Sequence, residues 1–547
     1  MTAAFSPDER ARLAPYFTNL DAPVFALVNL PEVVKGALFA RYSRSPKSLR
    51  RLFLDEFLGG GASSLPVSTG KAEGGTERVS AEAGAARAEQ LYEKVFFEYG
   101  DDSVAQLGGA HIACEYVSNV LTKVLEWGRL MAYLEQSTRY VPYTDKLHGR
   151  WRYHVPDELE PGRLREQYVR TLDAAFDCYA RWIPAMQAHF ERRYPRNPAD
   201  SEGVHRAAIR AKALDTLRGL LPAATQSNLG IYGTGQAFEA LLLRMRASPL
   251  AEGRACAADM LTELRKVIPA FLTRVDQPDR GGVWSEYLAA ARDGVARYAP
   301  QPHEAEPEPR DEVTLTDFDP DGEVKIVAAA LYAASDLPDD QLLAIARRMS
   351  ADERAAVLRA SIGTRRNRRH RPGRAWERTA YRFDVLTDYG AFRDLQRHRL
   401  LTIEWQPLTP HHGFTEPEAI LEAGAGDDWN RVMGASAELH EAIVAAGLKP
   451  VAPYAVAMAY RVRFYMDMNA REAMHLIELR TAPQGHPAYR RVCQQMHTLI
   501  ATRAGHRAVA DAMMFADHSE IELERLGSER ALERKRTAIT GDEEIRR

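Results

Sequence analysis

Two guanidiniums flank an imidazole at Arg397-His398-Arg399, and a second set of donors follows at Asn469-Ala470-Arg471, His475 and Arg480. Guanidiniums bind phosphate through paired, charge-assisted hydrogen bonds, and a histidine can donate to a ring nitrogen or carbonyl. On a helix three successive side chains diverge, so these three cannot all grip one phosphate, though they can face a ligand lying across a helix end. A basic helix end favoured by the dipole accounts for the same residues without a ligand. A third stretch, 129–140, carries Arg129, Glu135, Ser137 and Arg139 at close spacing.

Other groups are open to plainer readings. The most basic run, 365–371, could hold an anionic ligand or nucleic acid, or be a solvated loop. Arg41, Ser43, Arg44 and Ser45 could grip a phosphate or end a helix. Glu478 suits pairing with a nearby base, His411-His412 has no partner ligand set in sequence and reads as a turn, and Gly233-Thr234-Gly235 marks a helix start rather than a phosphate loop. The four cysteines, Cys114, Cys178, Cys256 and Cys493, are far apart, which excludes a disulfide framework and a cysteine zinc site; no metal site is expected.

The elements that must position these residues are mostly helical. Residues 30–58 have helical apolar spacing broken at Pro46, and 59–75, rich in Gly and Ser, reads as a mobile loop. Residues 111–115 read as a strand and 116–128 as an apolar helix. Residues 161–193 read as a pair of helices, 202–221 as another stopped by Pro222, and 225–236 as a polar turn-rich segment before a helix at 237–245. Beyond an acidic, proline-rich stretch between Tyr298 and Asp311, the order recurs: a strand at 381–385, a helix over 387–399 and a helix over 469–481. Setting Arg399-Leu400 against Arg129-Leu130 superposes the two strand-helix units without a gap, and Leu479-Arg480 falls over Leu243-Arg244. The charged tail after Ala516 reads as a solvated helix.

Arg397-His398-Arg399 resembles the start of the signature of the flavin-dependent thymidylate synthases: Arg-His-Arg, two positions, Ser, one position, Asn-Glu, one position, Ser, one position, Arg. The second half of the chain keeps only that beginning, with Thr402, Glu404, Trp405, Pro407 and Thr409 at the later places. The first half keeps the other end: Trp127 and Gly128 replace Arg and His, and Ala132 and Leu134 replace Ser and Asn, but Arg129, Glu135, Ser137 and Arg139 match. Asn469, Arg471, His475 and Arg480 look like the family's Asn-Ala-Arg helix, Arg218 resembles its phosphate-binding arginine (Lys449 is the second-half counterpart), and Glu377 stands where the family has an acidic flavin neighbour, or is a surface residue at a helix start.

The resemblance implies an α+β protein of two such repeats, each a small, mainly antiparallel sheet packed with several long helices. They would occupy 1–300, with helices inserted at about 161–198, and 313–547 with its charged tail, joined by a linker at 301–312. It implies a dUMP-to-dTMP methyltransferase using FAD, NADPH and methylenetetrahydrofolate, with its active site shared between repeats. Arg397, His398, Arg399, Glu377, Asn469, Arg471 and His475 would hold FAD; Arg129, Glu135, Ser137, Arg139, Arg218 and Arg244 would hold dUMP; Arg480 would promote ionisation of the uracil. A homodimer would then form a pseudo-tetramer. The broken signature keeps a second reading open, a protein of this fold that binds flavin or nucleotide in a regulatory or different flavin-dependent role.

Composition bounds these readings. The 547 residues, 45% hydrophobic and 27% charged, suit a globular protein, and the net charge of −3 argues against a nucleic-acid partner. Without a membrane-length apolar run or signal-peptide pattern, a cytoplasmic location is expected.

Overall fold

The computed structural model describes residues 5–42, 45–58, 106–300 and 307–545. The expected loop at 59–75, part of the 41–45 segment and most of the 301–312 linker lie outside the described residues. In chain order, β1 (Gly109–Ser118) leads into α1 (Asn119–Leu125) and β2 (Met131–Glu135); α2 (Arg163–Arg193) and α3 (Glu202–Leu217) precede β3 (Gln226–Thr234) and α4 (Gly235–Arg246). The second half carries β4 (Val313–Phe318), β5 (Ala380–Asp388), α5 (Tyr389–Leu395), β6 (Thr402–Trp405), α6 (Gly426–Ala445), β7 (Arg461–Asn469), α7 (Ala470–Arg480), α8 (Pro487–Thr502) and α9 (Leu526–Ile545).

Two compact units divide the chain, interleaved in sequence: Met1–Cys114 with Leu130–Leu134 and Leu229–Gln301, and Glu115–Arg129 with Glu135–Asn228 and Pro302–Arg547. The first unit carries most of a three-stranded sheet in the order β1-β3-β2. There Thr234 caps α4 by accepting from Ala237 N–H, and a Cβ on Gly235 would lie 2.6 Å from Phe271, so a glycine is required where helix and ring pack.

The second unit holds an antiparallel sheet in the order β4-β5-β7-β6, registered Ala380 to Asn469 and Thr402 to Asp467. Alternation builds it: Tyr381, Phe383 and Val385 on β5 and Val462, Phe464, Met466 and Met468 on β7 are buried, with polar residues between them. α8 packs on β4 and β5, α2 on α3 and α6, and α9 on α3. The class is therefore helix-rich α+β with small antiparallel sheets.

Four element boundaries differ from the sequence expectation. In place of two helices over 161–193 there is one 31-residue helix, α2 (Arg163–Arg193), which continues through Pro184 because Tyr168, Phe176, Tyr179, Met186 and Phe190 bury a continuous face. The turn-rich 225–236 segment is strand β3, whose period-2 burial of Ser227, Leu229, Ile231 and Gly233 was masked by small residues. The strand before α1 extends to Ser118, whose hydroxyl caps α1 on Leu121 N–H, so residues 116–118 are not helical. The helix expected over 387–399 is shorter: Asp388 caps α5 at Ala391 N–H, and it ends at Leu395, since Thr402 and Ile403 pair with β7 and draw the chain out. Arg397, His398 and Arg399 therefore lie in the turn after α5, not on a helix.

A buried arginine cluster as the candidate active site

In the second unit, Glu135 at the end of β2 lies against residues more than 250 positions later. It accepts from Arg393 at 2.9 Å, with Lys123 at 3.5 Å and Arg397 at 3.9 Å. Burial alone would raise its pKa, but Arg393, Lys123 and Arg397 outweigh it and hold the carboxyl at about 2. Glu126, paired with Lys123, shifts upward because burial dominates there.

Arg139 makes a fork with Asp215, Nε at 2.9 Å and Nη2 at 2.7 Å, and its Nη1 donates to Gln484 O and Tyr489 Oη. Ser137 accepts from Arg139 N–H, so its hydroxyl shapes the local turn. Arg218 follows α3 in a 3-10 turn, is 4% exposed, and brings Nη1 to 3.7 Å from Asp394; its Nη2 is buried without a hydrogen-bond partner. Asp394 also takes a hydrogen bond from Arg397 and lies 3.8 Å from Arg480. Against the upward push of burial, Arg397, Arg480 and Arg218 hold it far below the usual carboxylate range. Thus five guanidiniums (Arg139, Arg218, Arg393, Arg397, Arg480) meet three carboxylates (Asp215, Asp394, Glu135), with the Lys123–Glu126 pair beside Glu135.

Arg480, the last residue of α7, donates from Nε to His398 Nε2 at 2.9 Å, and His398 Nδ1 lies 3.2 Å from Glu472. Burial, then Arg480, His475 and Arg397, push His398 well below its ordinary value. Burial raises Glu472 to about 7 against Arg371, Arg471 and Arg399.

Glu472 also lines a cavity of about 370 Å³ with Arg129, Glu377, Arg399, Asn469 and Arg471. Glu377 sits 3.5 Å from Arg471 and accepts from Arg374. Asn469 caps α7 with its side-chain oxygen on Glu472 N–H, which explains an asparagine there in structural terms alone. Arg129, expected with the dUMP group, instead donates to Thr402 Oγ1 at 2.9 Å beside this cavity, because the Trp127 indole anchors its turn on Ile403 O. A second cavity, of about 450 Å³, is lined by Asp215, Arg218, Asp388, Trp429, His486 and Arg491, and a third, of about 680 Å³, by Arg139, Tyr140, Gln187, Arg206 and Arg210.

Arg244 is on α4 in the other compact unit, half-buried, with its pKa lowered by burial. Within the 365–371 run, Arg365 is a buried structural residue, forked on Glu478 at 2.5 and 2.6 Å, and Arg371 lies 3.3 Å from His475 Nε2. Sequence reasoning passed over Asp394, Asp215, Arg393 and Glu472; the one available signal was Asp394 three positions before Arg397, a spacing that pairs charges. Among the described residues, two groups place metal-ligating atoms within 4.8 Å of one another: His398, Glu472 and His475, and His411, His440 and Glu441. In the first, both His398 nitrogens are engaged and arginines surround the carboxylate, an environment for an anion. The second supplies the partners His411 lacked in sequence, with Glu441 Oε1 2.9 Å from His411 and 3.0 Å from His440.

An antiparallel sheet flanked by helices, with donors from both halves of the chain gathered in one buried cluster, defines a helix-rich α+β protein with a concentrated set of buried guanidiniums. The chain belongs to the family of the thymidylate synthase complementing protein, whose profile matches it over residues 62–270 and again over 314–504, a duplicated arrangement. It is 38% identical to a UPF0159 protein of Chlamydia muridarum over 96% of this chain and 98% of that protein. It is 37% identical to a UPF0159 protein of Chlamydia pneumoniae, over 96% and 97% of the two chains. Among solved structures, a UMP/dUMP methylase PolB from Streptomyces cacaoi bound with 5-Br dUMP aligns at 17% identity and TM-score 0.29, covering 37% of this chain and 96% of that one.

Proposed function

We propose that the protein is a flavin-dependent thymidylate synthase-type methyltransferase that converts dUMP to dTMP with methylenetetrahydrofolate and NADPH, using one site assembled from both repeats. The observation that carries this reading is that the two ends of the divided signature meet in one buried cluster: Glu135 lies 3.9 Å from Arg397, and Arg139 donates to Tyr489 Oη, over whose ring Arg480 sits while it donates to His398. Guanidiniums concentrated in this way suit the paired, charge-assisted hydrogen bonds that a phosphate accepts. Arg218 Nη2 is the donor such a phosphate would meet, with His486 and Arg491 lining the same 450 Å³ cavity. Arg480 would stabilise negative charge developing on the uracil ring, held in a water-poor setting where such stabilisation is strongest.

The 370 Å³ cavity suits part of a flavin dinucleotide: its guanidiniums Arg129, Arg399 and Arg471 match a diphosphate, and Asn469 offers an amide to a ring edge. FAD there would supply the hydride that completes the methyl group. His398, buried beside Glu472, and the half-buried His475 would border it. Assembly as a homodimer with a pseudo-tetrameric arrangement of repeats is part of the same reading.

The test has two stages. Purified protein given FAD should show flavin absorbance, and it should release tritium from C5-labelled dUMP when NADPH and methylenetetrahydrofolate are present. A protein that stays colourless with FAD sinks the reading. A second reading, binding without turnover, is favoured by one observation: Asp215 and Asp394, residues of the chain itself, already occupy Arg139, Arg218 and Arg397. Flavin binding without tritium release would select it.

A further inference from the structure

We propose that Glu472 is a positioning residue: it fixes the tautomer of His398, and through that ring it sets the aim of Arg480. This deepens the reading above and rests on it only for the claim that Arg480 meets the substrate.

A guanidinium has donors and no acceptor, so the 2.9 Å contact from Arg480 Nε requires a lone pair on His398 Nε2. His398 is then neutral with its hydrogen on Nδ1, and that hydrogen is donated to Glu472 Oε1 at 3.2 Å. Each bond fixes the other. If the acceptor at Oε1 is removed, the Nδ1 hydrogen is left buried without a partner and only the Arg480 bond opposes its transfer; once it is on Nε2, two donors would meet head-on across 2.9 Å and Arg480 would have to turn away.

The remaining contacts of Arg480 do not replace this one. Nη2 donates to Asp394 O, Nη1 keeps a longer 3.8 Å approach to Asp394, and the guanidinium lies 5.4 Å from the Tyr489 ring centroid. These hold the far edge, whereas Nε sets rotation about the stem. Glu472 is itself fixed, its N–H donating to Asn469 Oδ1 at 2.9 Å in the first turn of α7. The charged groups around it are Arg371, Arg399 and Arg471, with His398 and His475 as neutral rings. A carboxylic acid keeps an accepting oxygen in either protonation state, so the device works on both sides of neutrality.

The chain has 16 histidines, and His398 can be assigned in 15N-histidine-labelled full-length protein by solid-state NMR as the signal lost in His398→Gln. We expect wild-type His398 to carry its proton on Nδ1. Glu472→Leu should move it to Nε2, and Glu472→Gln, which keeps an accepting oxygen, should not. In the tritium-release assay Glu472→Leu should lower kcat about 100-fold with KM for dUMP within about twofold, the scale of a misaimed catalytic group, while Glu472→Gln stays near wild type. An Nε2-protonated ring in the wild type, or an Nδ1-protonated ring in Glu472→Leu, overturns the proposal. So does a Glu472→Leu enzyme with shifted tautomer and undiminished kcat. Should Glu472→Leu fail to fold, the wild-type spectrum still decides the tautomer. If the tautomers behave as expected but wild type releases no tritium, positioning stands and the synthase reading falls.

Discussion

Replacing Glu135 by glutamine removes one negative charge from a site where Arg393 at 2.9 Å, Lys123 at 3.5 Å and Arg397 at 3.9 Å depend on it. Its folded pKa of about 2, against an ordinary value of 4.5, corresponds to about 3 kcal/mol of stabilisation at neutral pH. Breaking one side of a buried ion pair costs about 3 to 5 kcal/mol in general, so the two routes agree. The sign follows from the depressed value: the contribution is fully present above about pH 4.5 and disappears as pH falls toward 2, where the carboxyl is protonated in both states. Glu135→Gln should therefore unfold several degrees below wild type at pH 7, and the gap should close in acid. Calorimetric scans from pH 7 to 3 give the comparison. A Glu135→Gln protein with unchanged midpoint at pH 7 but impaired dUMP binding would refute the picture of Glu135 as the hub of an internal network and return it to a direct substrate contact.

Glu472 has the opposite sign: its folded pKa of about 7 means a stabilising contribution that is complete below about pH 4.5 and lost as pH rises through 7. Glu472→Gln should match wild type near pH 4 and exceed it at pH 8 by up to about 3 kcal/mol; lower stability at pH 8 contradicts this. Arg480→Ala should abolish tritium release while flavin absorbance persists, and loss of flavin would assign Arg480 to the cofactor. Arg139→Ala should weaken dUMP about tenfold or more and also destabilise the fold by about 3 kcal/mol, because Asp215 is left unpaired; the Arg139→Ala, Asp215→Ala double variant should recover most of the stability but not the affinity, by calorimetry and titration. Glu478→Gln should lower the midpoint through Arg365, buried on it, without changing KM for dUMP.

Much of the fold was legible because packing periodicity is a local property. Tyr381, Phe383 and Val385 alternate, and the strand is there; residues 469–481 follow an N-cap and a helical stripe, and α7 is there. Local signals failed where tertiary partners overrode them. Residues 161–193 read as a pair of helices where one helix runs through Pro184 on a continuous buried face, and Gly and Ser hid the alternation of β3. The basic run at 365–371 offered no sign that Arg365 is enclosed by Glu478, since 113 positions separate the two.

The sequence by itself determined which residue types are present and in what order: a signature divided between two repeats, with Arg397, His398 and Arg399 in one and Glu135, Ser137 and Arg139 in the other. Only the tertiary structure decided which of them meet and what each is paired with. It brought Glu135 to Arg393 and Arg397, tied Arg139 to Asp215, moved Arg129 to the cavity beside Arg399, and put Glu472 behind His398. The physical reason is that a guanidinium's role depends on the charges within a few ångströms of it, and those come from chain segments whose approach is set by strand pairing and core packing rather than by their own composition.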